Sequence, residues 1–114
     1  MDRHMQPDVR VPVCLPVRLY RHARDVRAPA PGATRDLSLD GAFVTSPQAP
    51  WPPGTTLECE LQLDAVRSVV VAAVVTRRTT DGIGVRFADC GDEVLHRLAS
   101  VLEQEVQRRH RRSR

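Results

Sequence analysis

The segment Arg35-Asp36-Leu37-Ser38-Leu39-Asp40-Gly41-Ala42-Phe43 carries the groups best suited to meeting a polar ligand. In an extended chain, residues two apart share a face, so the Asp36 carboxylate and the Ser38 hydroxyl point the same way. A carboxylate can accept the N1–H and N2–H of a guanine, and a hydroxyl can bond a phosphate or base oxygen. Gly41, three residues further on, permits a positive backbone dihedral and removes a side chain that would block a ligand. The same residues also suit a turn between strands, held by an aspartate or serine bonding nearby main chain. Ser38 has no base beside it and no nucleophile-elbow glycines around it, so the chain is not expected to be an enzyme.

Strands must hold that segment in place. Val9, Val11, Val13, Leu15, Val17 and Leu19 alternate with Arg10, Pro12, Cys14, Pro16, Arg18 and Tyr20. This period of two predicts a half-buried strand, with Pro12 and Pro16 at an edge or near bulges. Arg21 to Gly32 reads as a loop, Ala33 to Leu37 and Gly41 to Thr45 as short strands, and Pro47 to Gly54 as a second loop. Leu57, Cys59, Leu61 and Leu63 alternate with polar residues as a further strand. The apolar run Val69 to Val75 predicts a strand covered on both sides, and Asp81-Gly82 a tight hairpin into Ile83–Phe87. Val94, Leu95, Leu98, Val101, Leu102 and Val106 form the stripe of an amphipathic helix. Asp89 is its expected N-cap, and Asp92 and Glu93 suit its first turn. These elements predict a mainly β chain, a closed or nearly closed antiparallel barrel with one C-terminal α-helix.

At 114 residues the chain reads as one domain over residues 9–107, with a flexible arm at 1–8 and a basic tail at 108–114. Aromatics make up only 4%, so Val, Leu and Ala must fill the core. The net charge is +3 and all 17 basic residues are arginine, a usage that reflects a GC-rich genome more readily than a nucleic-acid partner. The tail arginines Arg108, Arg109, Arg111, Arg112 and Arg114 suit a helix C-terminus and lack interleaved aromatics, so nucleic acid is not the expected partner. Arg21, Arg24, Arg27 and His96 read as surface groups and Trp51 as cover for a barrel end. Cys14, Cys59 and Cys90 are scattered without ligand-like spacing and read as buried or half-buried free thiols. An apolar run of about 18 residues and a leading export signal are both lacking, so a cytoplasmic protein without membrane insertion is expected.

The order of the pieces is more specific than any one of them. Asp36-x-Ser38-x-x-Gly41 follows a strand reading Arg-Val-Pro-Val-Cys-Leu-Pro-Val-Arg-Leu. It precedes a Pro-Pro-Gly-Thr turn, an alternating strand, a Val-rich strand, Gly-Ile-Gly-Val-Arg-Phe and a helix. From about Val9 to Leu102 this succession resembles the PilZ family of bacterial cyclic di-GMP receptors. The resemblance implies a six-stranded antiparallel barrel with a terminal helix, and a signalling role exercised through a protein partner. It gives Asp36 the guanine Watson–Crick edge, has Ser38 donate to the ligand, and has Gly41 keep the backbone clear.

The family's second motif is Arg-x-x-x-Arg, just ahead of the first strand. Its later arginine matches Arg10, which would clamp guanine and phosphate; its earlier position holds Gln6. A glutamine can hydrogen-bond but supplies neither charge nor cation–π stacking. Arg3, or His4, is the nearest group that could reach in instead. The ligand would order the arm around residues 3–10 and change the surface shown to a partner. The alternative raised by Gln6 is a nucleotide-independent adaptor of the same fold, binding only a protein partner, for example in motility or polarity control. Neither reading implies a metal or further cofactor.

Overall fold

The computed structural model describes residues 9–21, 29–46 and 51–112. The expected arm, with Arg3, His4 and Gln6, lies outside the described residues, as do Arg24, Arg27 and Arg114. Among the described residues seven strand segments precede one helix: β1 (Val11–Pro12), β2 (Pro16–Tyr20), β3 (Ala30–Leu37), β4 (Gly41–Thr45), β5 (Thr56–Gln62), β6 (Ser68–Arg78), β7 (Gly82–Phe87) and α1 (Asp92–Arg112). All pairings are antiparallel, in the order β3-β2-β5-β6-β7-β4, and β4 pairs back onto β3. The result is a closed six-stranded barrel with β1 as an extra segment beside β3.

The alternating stretch from Val9 to Leu19 is therefore two segments and not one strand. Pro12 lies opposite Asp36 and Pro16 opposite Ala33, so four steps on one side match three on the other. That extra residue is a β-bulge between the two prolines, neither of which can donate to a ladder. Thr34, buried across from the gap, replaces the missing ladder bonds. Its hydroxyl accepts the Leu15 N–H at 2.8 Å and donates to the Val13 carbonyl at 2.5 Å. Burial still alternates through the bulge, with Val11, Leu15, Val17 and Leu19 inside.

Three other expectations are corrected. The outer side of β6 is uncovered: Val69, Val71, Ala73 and Val75 are buried, but Val70 is 53% exposed. A closed barrel has one interior, so a strand in its wall has only one covered face. β3 begins at Ala30, with Pro31 paired opposite Arg18, so its first residues come from the stretch expected to be loop. The tight hairpin into β7 is present, with Arg78 opposite Ile83, but its turn spans Thr79 to Gly82, where the Thr79 hydroxyl accepts N–H bonds from Asp81 and Gly82. Gly82 does not have a positive φ; its Cβ would lie 2.0 Å from the Val44 carbonyl oxygen, so close packing demands the glycine.

The interior is filled mainly by Val, Leu and Ala, and Leu98 and Leu102 of α1 join it with no exposed surface. Asp89 does not cap this helix. It has φ 55°, and the first helical bond runs from Leu95 N–H to the Gly91 carbonyl at 3.0 Å. Asp92 and Glu93 do lie in the first turn. At its far end the helix continues to Arg112, so most of the segment expected as a tail forms its last turns. Arginine is a good helix former, and cations favour the negative end of the dipole. Among the described residues no helix is long and apolar enough to cross a membrane.

All three cysteines are free: Cys14 is exposed, Cys90 half-buried and Cys59 buried. Burial pushes the Cys59 thiol from 9.0 up to about 12. Above pH 9.0 the unfolded chain therefore loses this proton while the folded chain keeps it. The stability this group contributes is fully present below that pH and is lost as pH rises toward about 12. A chromogenic thiol reagent at pH 8 is expected to label Cys14 promptly and Cys59 only after unfolding. Prompt labelling of Cys59 in the folded protein would contradict its placement in the core.

Candidate functional site

Asp36 stands near the end of β3, opposite Pro12 of β1 and Phe43 of β4. Its neighbour Leu37 is wholly buried, so strand alternation turns the Asp36 carboxylate to the outer wall. There Oδ1 accepts from Arg10 Nη1 at 2.9 Å and from the Phe43 N–H at 3.3 Å. The carboxylate is 24% exposed and the guanidinium side chain 48%. Two groups 26 residues apart are thus brought together by the antiparallel β1–β3 pairing. The main-chain donor orients the carboxylate, and among the described residues its Oδ2 accepts no hydrogen bond. The pair can offer a carboxylate edge and a guanidinium fork to one ligand.

Ser38 and Gly41 are placed differently from the expectation. The Ser38 hydroxyl is fully buried; it donates to Asp40 Oδ1 at 2.6 Å and accepts the N–H of Asp40 and of Gly41, each at 3.2 Å. The Ser38 N–H in turn donates to the Gly41 carbonyl at 2.8 Å. Ser38 thus knits the β3–β4 turn and does not present its hydroxyl outward. Gly41 has no positive φ, and its Cβ would lie 2.3 Å from the Val85 carbonyl oxygen. Its bare Cα lets β4 pack against β7.

The sequence matches the PilZ domain family over residues 6–104. The chain belongs to that family. A search of the curated proteins returned no match. Among solved structures, the inhibitor of motility (MotI/DgrA) of Bacillus subtilis is similar, with a TM-score of 0.69 at 16% sequence identity. The alignment covers 90% of this PilZ chain and 50% of that one, so this chain spans about half the neighbour's length. At such identity the likeness is one of fold.

The outer wall of this PilZ domain also carries groups to which sequence reading gave no role. Ala42 and Val44 point into the core, so Phe43 between them faces out, yet it is only 2% exposed. The Arg35 guanidinium covers its ring at 3.9 Å from the centroid and that of Arg77 approaches to 5.3 Å. Arg35 reaches this position through a second bulge: Thr34 pairs with Val44 and Asp36 with Phe43, leaving Arg35 unpaired. The run Ala-Phe-Val reads as continuous core, and a bulge leaves no mark on composition. The signal available was the arginine immediately before Asp36.

Proposed function

We propose that this PilZ domain binds cyclic di-GMP on the outer wall at Arg10 and Asp36 and passes the signal to a protein partner. The Arg10–Asp36 contact at 2.9 Å carries the reading, because it joins one residue from each family motif on one exposed surface. Asp36 would take the guanine Watson–Crick edge and Arg10 the base N7 and O6 or a phosphate. Ser38 and Gly41 would act by fixing the turn that carries Asp36 into β4. Gln6 and Arg3 belong to the proposal only as arm residues able to close over the nucleotide. The output would be cytoplasmic, and motility control is the first candidate, since the structural neighbour is an inhibitor of motility.

Isothermal titration with cyclic di-GMP tests this. Saturable heat in the micromolar range is expected at low salt, and no heat at high micromolar ligand rejects it. The nucleotide-independent adaptor is favoured by one specific observation, a glutamine where the family motif has its first arginine. Gln6→Arg separates the two readings. If that variant binds no better than an inert parent, the missing guanidinium is not the reason and the adaptor reading stands.

A further inference from the structure

Beside the Arg10–Asp36 pair lies a cleft of about 640 Å³, bounded by the bulge after β1, by β3 and by the last turns of α1. Pro12, Val13 and Ala33 line part of it, and Arg35, Arg108 and Arg109 bring three guanidiniums to its walls. Two of these are held in place. Buried Glu105 forms ion pairs with both: Arg108 Nη1 lies 3.0 Å from its Oε1 and Arg109 Nε lies 3.2 Å from its Oε2. Arg109 Nη2 also donates to the Pro12 carbonyl at 2.6 Å, tying the helix end to β1, which directly follows Arg10.

A guanidinium has five N–H donors on three nitrogens, and these contacts reach one nitrogen of Arg108 and two of Arg109, so donors remain for a ligand. Glu105 neutralises one of the three positive charges, so the cleft keeps an excess of two. Arg35 has no carboxylate partner among the described residues and is held only by stacking on Phe43. Guanidiniums fixed before a ligand arrives lose less freedom when one binds, which favours anion binding. Fixed forks of this kind match phosphoryl oxygens bidentately.

We propose that this cleft is an anion site for the phosphoryl groups of a small nucleotide, with Arg35, Arg108 and Arg109 as its ligating guanidiniums. As to which nucleotide enters, the inference rests on the cyclic di-GMP reading above. The barrel wall and the helix end would then supply the positive charge that Gln6 does not bring to the motif. Because β3 runs Ala33, Thr34, Arg35, Asp36, one ligand can lay its base against the Arg10–Asp36 pair and a phosphate in the cleft.

The test uses the full chain and two probes. In the first arm, the ¹⁵N-labelled protein is titrated with inorganic pyrophosphate at low ionic strength and its amide spectrum followed. Saturable shifts are expected at Val13, Cys14, Arg35 and residues 105–111, and they should vanish in the Arg35→Gln/Arg108→Gln double variant. Both side chains are exposed, and Arg109 is retained because it holds the helix end, so this variant should keep a folded spectrum. In the second arm, Arg35→Gln alone is expected to weaken cyclic di-GMP about tenfold by calorimetry. Absence of shifts around the cleft, or shifts that survive in the double variant, overturns the site whatever cyclic di-GMP does. Pyrophosphate shifts in the cleft without any cyclic di-GMP heat keep the site and remove the nucleotide reading. Equal cyclic di-GMP affinity for Arg35→Gln and the parent overturns the nucleotide's use of the cleft.

Discussion

Arg10→Ala is expected to weaken cyclic di-GMP binding by about 100-fold, the upper end for losing a charge-assisted hydrogen-bonded group. The same change should leave folding nearly untouched. The Arg10–Asp36 pair is half exposed on the arginine side, and water screens such pairs to at most about 1 kcal/mol. Calorimetry and thermal unfolding on the same variant therefore separate a ligand role from a structural one. A large fall in the melting temperature with unchanged affinity would show that the pair only pins β1 to β3. Asp36→Asn sharpens the comparison, because the amide keeps an acceptor for the Phe43 N–H but presents a different edge to guanine.

The largest expected effect on stability belongs to Gly82→Ala. The new Cβ would lie 2.0 Å from the Val44 carbonyl oxygen and 2.9 Å from the Thr45 Cα. Both are backbone atoms of the adjacent strand, so no side chain can swing away and the β4–β7 pairing must open at its end. Overpacking of this kind costs about 3 kcal/mol. For a domain of this size that lowers the melting temperature by roughly 10–20 °C. Gly91→Ala provides the control: nothing lies within 4 Å of its Cβ, and the exchange should cost under about 1 kcal/mol. Equal melting temperatures for the two variants would contradict the close approach of β4 and β7.

Periodicity located most of the elements because burial follows it. Leu57, Cys59 and Leu61 face inward as their spacing requires, and Leu98 and Leu102 show the helical stripe reaching the core. What periodicity could not show was an inserted residue. The bulge between Pro12 and Pro16 keeps the odd positions inward, so the stretch from Val9 to Leu19 looks continuous although its ladder is broken. The second bulge, at Arg35, is equally silent and places a guanidinium on the outer wall beside Asp36.

The site was legible in part for the same reason. Asp36 and Arg10 could be named from their motifs, but their contact depends on a register between segments 26 residues apart. Ser38 shows the limit of residue chemistry. A hydroxyl two residues from a carboxylate suits a ligand or a turn equally, and only the hydrogen bonds to Asp40 and Gly41 show which one engages it. Gly41 was expected to give dihedral freedom and room for a ligand, and Gly82 to belong to a tight hairpin, whereas each is required by the backbone of a neighbouring strand.

Ring closure also restricts how a partner can be recruited. With β4 paired back onto β3, the main-chain groups of the wall bond to one another. The short β1 seam holds Pro12, which has no N–H and whose carbonyl already accepts from Arg109. A partner seeking to extend the sheet by adding its own strand finds almost no open backbone there. Among the described residues the barrel wall would therefore offer a partner side chains, which can change by surface substitution without disturbing the barrel.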